Sequence, residues 1–162
     1  MDKEAIILAG GLGTRLQGVL KDLPKPMAPV NGKPFLEYIL KYLLRFGLKK
    51  AILSVGYKHE IIKNHFGNEF QGMKLIYAVE EEPLGTGGGI VNALCYAEGK
   101  APYLVNGDTY FEVDFNKLHA LHEKSSADIT MALKTMERFD PYGSATLDCN
   151  TAPHFFPKQY LY

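Results

Sequence analysis

The sequence predicts an α/β fold, a three-layer α/β/α arrangement with a mostly parallel central sheet. Two patterns carry this expectation. Short apolar runs rich in β-branched residues recur along the chain, as strands covered on both faces require. Segments of helical spacing separate them, and strand alternating with helix builds parallel βαβ units with a ligand crevice at the carboxyl ends of the strands. A length of 162 residues is that of one ordinary domain with a real core.

The buried-strand candidates are Glu4–Ala9, Lys50–Val55, Lys74–Val79, Pro102–Asn106 and Asp128–Leu133. A helix is expected from Pro34 as a first-turn proline, with Phe35, Leu36, Ile39, Leu40, Leu43 and Leu44 as one apolar stripe and Gly47 as its stop. A shorter helix spans Glu60–Phe66 and ends at Gly67. Thr86 is the expected cap of a third, which runs through Ile90, Val91, Leu94 and Cys95 until Gly99. A fourth, Phe115–Lys124, turns Leu118 and Leu121 inward, and Asp114 is read as its cap. Cys95, flanked by apolar residues, is expected to be a buried thiol.

Composition narrows the function classes. Lys+Arg and Asp+Glu each number 18, so no global field recruits nucleic acid or an anionic membrane, and any phosphate site must be local. Two cysteines are too few for a disulfide framework. No apolar run approaches membrane-spanning length, and Met1-Asp2-Lys3-Glu4 does not read as a signal peptide. A cytoplasmic location is expected. The oligomeric state stays open, a homo-oligomer included.

The richest segment is Ala5-Ile6-Ile7-Leu8-Ala9-Gly10-Gly11-Leu12-Gly13-Thr14-Arg15-Leu16, followed by Pro24-Lys25-Pro26-Met27. A buried strand empties into glycines whose bare backbone N–H groups can close on oxyanions, and fixed cations follow. This is a place to hold a polyphosphate. It is not a P-loop, since no Gly-Lys-Ser/Thr closes it. Nor is it a dinucleotide fingerprint, because Leu16 stands where a small residue should let helix pack on strand.

Together these motifs resemble the signature of the sugar-1-phosphate nucleotidylyltransferases, over roughly residues 4 to 148. The resemblance implies a Rossmann-like domain of the nucleotide-diphospho-sugar transferase type over 1–148, with 149–162 an atypical tail. It also implies transfer of a nucleotidyl group from a nucleoside triphosphate to a sugar 1-phosphate, with release of pyrophosphate. Asp22-Leu23-Pro24-Lys25-Pro26-Met27 through Phe35, with Pro83-Leu84-Gly85-Thr86-Gly87-Gly88-Gly89, is most similar to the branch that joins GTP to D-glycero-α-D-manno-heptose 1-phosphate for bacterial surface polysaccharide. Enzymes for mannose 1-phosphate and other hexose 1-phosphates are the alternatives within the family.

The resemblance distributes roles. Leu8, Ala9, Gly10, Gly11, Gly13, Thr14 and Arg15 would wrap the nucleotide, with Arg15 on the departing β- and γ-phosphates. Lys25, held between Pro24 and Pro26 on a stiff strut, would neutralise charge on the α-phosphate; the plainer alternative is a solubilising turn lysine. Asp108, just past Leu104-Val105-Asn106-Gly107, would hold Mg²⁺ as a hard oxygen ligand, although Gly-Asp-Thr is also good turn chemistry. Glu80, Pro83, Gly85 and Thr86 would form the nucleobase loop, with Glu80 accepting the N1–H and N2–H₂ donors of guanine. Glu81 and Glu82 read as solvated loop. Asn106, Gly107 and Gly143, the last in a Tyr142-Gly143 turn, would touch the sugar.

No Ser/His/Asp or Cys/His constellation is legible, and the implied reaction needs none. The attacking phosphate, with a second pKa near about 6, is already anionic at neutral pH, so positioning and cations do the work. The histidines carry no metal spacing. After Asp148 the alternating pattern gives way to two prolines and several aromatics, and Thr151–Tyr162 keeps none of the family's later motifs. From this the chain is expected to be a truncated or frame-shifted product with a mobile tail, weak GTP binding and little turnover. A non-catalytic nucleotide-binding remnant and a nicotinamide-dependent oxidoreductase are the readings from other classes; for the latter, no acid ends the second strand at Val55-Gly56-Tyr57.

Overall fold

The apolar run at the start of the chain forms β1 (Glu4–Leu8), the second-to-last strand of a five-stranded sheet. The computed structural model describes residues 3–10, 23–135, 144–148 and 151–156. Two units are distinguished, Met1–Asn116 and Lys117–Tyr162.

Among the described residues of the first unit, β1 is followed by a 3₁₀ turn at Lys25–Met27 and by a small antiparallel hairpin of β2 (Pro29–Val30) and β3 (Lys33–Pro34). Its Asn31-Gly32 corner has φ of 51° and 75°, the left-handed pair that a tight hairpin demands. Then come α1 (Phe35–Arg45), β4 (Lys50–Val55), α2 (His59–Phe66), β5 (Glu69–Phe70), β6 (Met73–Val79), α3 (Gly85–Leu94) and β7 (Tyr103–Asn106). The sheet order is β5-β6-β4-β1-β7, and all but β5 run parallel.

That order explains the layers. From β1 to β4 to β6 the chain steps one way across the sheet, and from β6 to β7 it steps back. Right-handed crossovers then put α1 and α2 on one face and α3 on the other. On the α3 face, Ile6, Ile52 and Ala78 pack with Ala93. The opposite face presents Ala5, Ile7, Ala51 and Leu53, all fully buried, and α1 and α2 bring Leu36, Leu40, Leu43 and Ile62, buried as well. The reversal of direction at β1 creates a crevice at the carboxyl ends.

The amino ends are clamped by charge. Lys50 lies 3.2 Å from Glu4 and 2.8 Å from Glu98. Burial pushes the Lys50 ammonium down, but its hydrogen bonds to Glu98 and Glu4 hold it above the usual lysine value. Glu4 also accepts the backbone N–H groups of Glu98 and Gly99, fixing the turn between α3 and β7.

Several expectations are corrected. Asp128–Leu133 is not a strand: it has no ladder partner among the described residues, and Ile129, Met131 and Leu133 are exposed. Strand propensity is realised only through a pairing partner, which lies outside any local window. Cys95 is exposed rather than buried. The cause is the face that α3 chooses: it turns Gly89 and Ala93 to the sheet, with Ala97 following past its end, and leaves Val91 and Leu94 outside. Small residues four apart allow close approach, and the larger ones go to the surface. Thr86 is not the cap of α3, whose N-cap is Leu84. Pro34 sits at the N-cap of α1 rather than inside its first turn.

In the second unit, α4 (Phe115–Ser125) begins at the boundary. Asp114 accepts the Asn116 N–H at 3.0 Å, the expected capping bond. Leu118 is half-buried, whereas Leu121 is exposed instead of facing inward. Thr151–Phe156, expected to join no element, forms β9 antiparallel to β8 (Ser144–Asp148). In a two-stranded ribbon each strand has a free edge, so Pro153 is tolerated.

Candidate active site

The carboxyl ends of β1, β4, β6 and β7 open onto one cleft of about 560 Å³. Its rim is held by backbone bonds that continue the sheet past the strands: Ala9 N–H to Ser54 O, Glu80 N–H to Val55 O and Gly107 N–H to Leu8 O, each 2.8 Å. Residues far apart in sequence are thereby presented from a rigid edge.

Leu8 and Gly10 line the cleft from β1, and Asn106 and Asp108 from β7. Glu80, Pro83, Gly85 and Thr86 line it between β6 and α3. Ala9 is buried beside the cleft and acts through its N–H bond to Ser54. Gly107 acts through backbone too: a Cβ there would come within 2.9 Å of Leu8 O. Gly11, Gly13, Thr14, Arg15 and Gly143 lie outside the described residues.

Lys25 and Asp108 meet across the chain, with Nζ 3.5 Å from Oδ2 and the two side chains 28% and 43% exposed. The strut expected from Pro24-Lys25-Pro26 is real. Pro26 and Met27 are buried, and Met27 N–H closes the turn on Pro24 O at 2.8 Å. The ammonium is therefore carried to the carboxylate by a fixed turn. A partly solvated pair of this kind contributes little to stability, about 0–1 kcal/mol, and leaves both groups accessible to a ligand.

Glu80 is held more tightly than its sequence context implied. Ser54 Oγ donates to Oε1 at 2.8 Å, and Leu84 N–H donates to Oε2 at 3.2 Å. The glycines beside it have a steric reason: a Cβ on Gly89 would sit 2.7 Å from Glu80 Oε1, and one on Gly10 would sit 3.3 Å away. The glycine-rich start of α3 thus makes room for a carboxylate.

Ser54, Gly56, Tyr57 and Gly89 also line the cleft, and the sequence reading did not assign them. Glu81, read as solvated loop, lines it too. A usable signal existed for Ser54, the one hydroxyl in an otherwise apolar strand end, at the same level as the other strand exits.

A single carboxylate fits Mg²⁺, which takes one or two protein carboxylates and completes its shell with water and substrate phosphates. Among the described residues no group of three or more His, Cys, Asp or Glu could hold a metal by itself, so Asp108 would offer a partial site. The described helices include none long and apolar enough to cross a membrane.

The chain is similar to known proteins in both sequence and fold. The Nucleotidyl transferase family matches residues 4–157. The chain is 52% identical over 145 residues to a D-glycero-α-D-manno-heptose 1-phosphate guanylyltransferase of Campylobacter jejuni, covering 90% of this chain and 63% of that protein. It is 50% identical over 141 residues to the enzyme of the same name from Aneurinibacillus thermoaerophilus, covering 87% and 61%. The chain thus spans less than two thirds of the length of these relatives. The crystal structure of HddC from Yersinia pseudotuberculosis complexed with GMP-PN superposes with a TM-score of 0.75 at 36% identity, over 98% of this chain and 70% of that one. The family match spans nearly the whole chain, the two relatives are half identical to it, and the chain belongs to the nucleotidyl transferase family.

Proposed function

We propose that this chain carries the nucleotide site of a guanylyltransferase that joins GTP to D-glycero-α-D-manno-heptose 1-phosphate, releasing pyrophosphate. The observation that carries the reading is that Asp108 lines the same cleft as Glu80, with the Lys25 ammonium 3.5 Å from its carboxylate. The reaction class comes from the relatives' activity, and their 50–52% identity supports the choice of base and sugar. Mannose 1-phosphate is the nearest competing acceptor, represented by a Mycobacterium tuberculosis mannose-1-phosphate guanylyltransferase at 37% identity over 131 residues. A cytoplasmic reaction feeding surface polysaccharide belongs to the same reading.

The chemistry is one displacement. A phosphate oxygen of the sugar 1-phosphate bonds to the α-phosphorus of GTP, and the bond from that phosphorus to the β-bridging oxygen breaks. Pyrophosphate leaves with the electron pair. Two polyanions must approach, so the protein's task is charge and alignment. Lys25 neutralises the α-phosphate as charge shifts to the leaving group. Glu80 takes the paired N–H donors of guanine, an ionised acceptor for two neutral donors. Asp108, with phosphate oxygens, would hold Mg²⁺, which when bound draws off negative charge.

The test is calorimetric titration of the full chain with GTP and UTP, followed by pyrophosphate release with GTP, Mg²⁺ and the heptose or mannose 1-phosphate. Tighter binding of GTP than of UTP is expected, and whatever turnover the chain supports is expected to be selective for the heptose. Equal affinity for the two nucleotides, or turnover that favours mannose 1-phosphate, overturns the assignment.

A further inference from the structure

We infer that Ser54 is a positioning residue for nucleobase selection: it holds the Glu80 carboxylate at the inner end of the cleft. The inference rests on the reading of Glu80 as the acceptor for guanine. Ser54 is 1% exposed, yet its hydroxyl stands at the carboxyl end of β4, where it lines the cleft. Its donor is spent on Glu80 Oε1 at 2.8 Å. A buried hydroxyl needs a partner, and here the partner is a flexible side chain that would otherwise sample several rotamers.

The surroundings define a slot. Oε1 is enclosed by Ser54 Oγ and by the bare Cα positions of Gly10 and Gly89, while Oε2 accepts Leu84 N–H at 3.2 Å. Each carboxylate oxygen has two lone pairs, so both retain capacity for a ligand. The two donors come from different elements, the end of β4 and the residue that caps α3. Glu80 therefore ties the nucleobase loop to the sheet, and Ser54 sets which way its lone pairs face. A base with adjacent N–H donors gains from that orientation. Uracil, with a single ring N–H between two carbonyl oxygens, does not.

The experiment compares GTP and UTP affinities of the full chain with those of Ser54→Ala, which removes the donor without adding bulk. A second variant, Gly89→Ala, pushes on the same carboxylate from α3. Thermal melting is recorded for all three. Loss of a hydrogen bond to a charged group is expected to lower the GTP-over-UTP ratio about tenfold in Ser54→Ala, and displacement of the carboxylate is expected to lower it in Gly89→Ala as well. A merely structural serine would weaken both nucleotides alike. A parent that prefers GTP, with the ratio unchanged in Ser54→Ala, overturns the role given to Ser54 and leaves the proposed function standing. A parent with no preference overturns the guanine reading of Glu80, and this inference with it.

Discussion

Replacing Gly107 by alanine tests whether the cleft depends on close backbone approach at the exit of β7. The added Cβ would lie 2.9 Å from Leu8 O and 3.3 Å from both Ala9 Cβ and Ile7 Cγ2. None of these can yield cheaply, because β1 is paired on both sides, with β4 and β7. Overpacking of this kind costs about 1–3 kcal/mol. Weakening the 2.8 Å bond from Gly107 N–H to Leu8 O adds about 0.5–1.5 kcal/mol. The reduced freedom of the unfolded chain returns about 0.4–1 kcal/mol. The net loss is about 0.5–4 kcal/mol, centred near about 2, which lowers the melting temperature of a domain this size by about 4–8 °C at the centre of that range. Asp108 follows directly, so a shift of about 1 Å should also cost on the order of a hundredfold in turnover. Circular-dichroism melting and pyrophosphate release measure the two effects. A variant that melts within about 1 °C of the parent would refute the claim that this contact is tight.

Asp108→Asn should show the opposite profile, with metal-dependent turnover lost and melting nearly unchanged, since the Lys25 pair is partly exposed. A large fall in melting temperature would contradict it. Tyr42 OH donates to Val113 O and accepts Val113 N–H, both at 2.5 Å, pinning the segment that follows Asp108. Tyr42→Phe should therefore cost about 1–2 kcal/mol in urea unfolding and speed hydrogen exchange at the Val113 amide; unchanged exchange would show that the pin is idle. Burial pushes the Tyr77 phenol, which donates to Gly67 O, from 10.0 up to about 12. A raised value means that the fold favours the neutral phenol, so this contribution is intact below pH 10.0 and disappears as pH climbs through about 12. Absorbance titration of the parent against Tyr77→Phe should lose a component near 12, and a missing component near 10 would reject it. At the other end of the scale, the Lys50 hydrogen bond holds Glu98 below 4.5, a contribution present above that pH and lost as acid carries the solution below it. Glu98→Gln should flatten the acid limb of stability, and an unchanged limb would mean that the exposed pair contributes nothing measurable.

Much of the architecture was legible because it is written in short windows. Val55, at the end of an apolar run before Gly56, and Gly67, after a helical one, announce their element boundaries locally. Helix faces were harder to read. In α3 the apolar spacing pointed to Val91, Leu94 and Cys95, but the sheet selected Gly89, where a side chain would strike the Glu80 carboxylate, and Ala93, which packs on Ile6, Ile52 and Ala78. The strand expected at Asp128–Leu133 failed for a related reason, because pairing requires a neighbour that no window contains.

By itself the sequence determined the α/β class and the alternation of β1, β4, β6 and β7 with α1, α2, α3 and α4, all properties of residues near one another in the chain. The tertiary structure alone decided that Lys25 reaches Asp108, 83 residues away, and that Ser54 reaches Glu80, 26 residues away. Those meetings follow from the sheet order β5-β6-β4-β1-β7, in which the crossovers reverse at β1. The reversal brings the carboxyl ends of distant strands to one rim, and no local pattern of hydrophobicity encodes it.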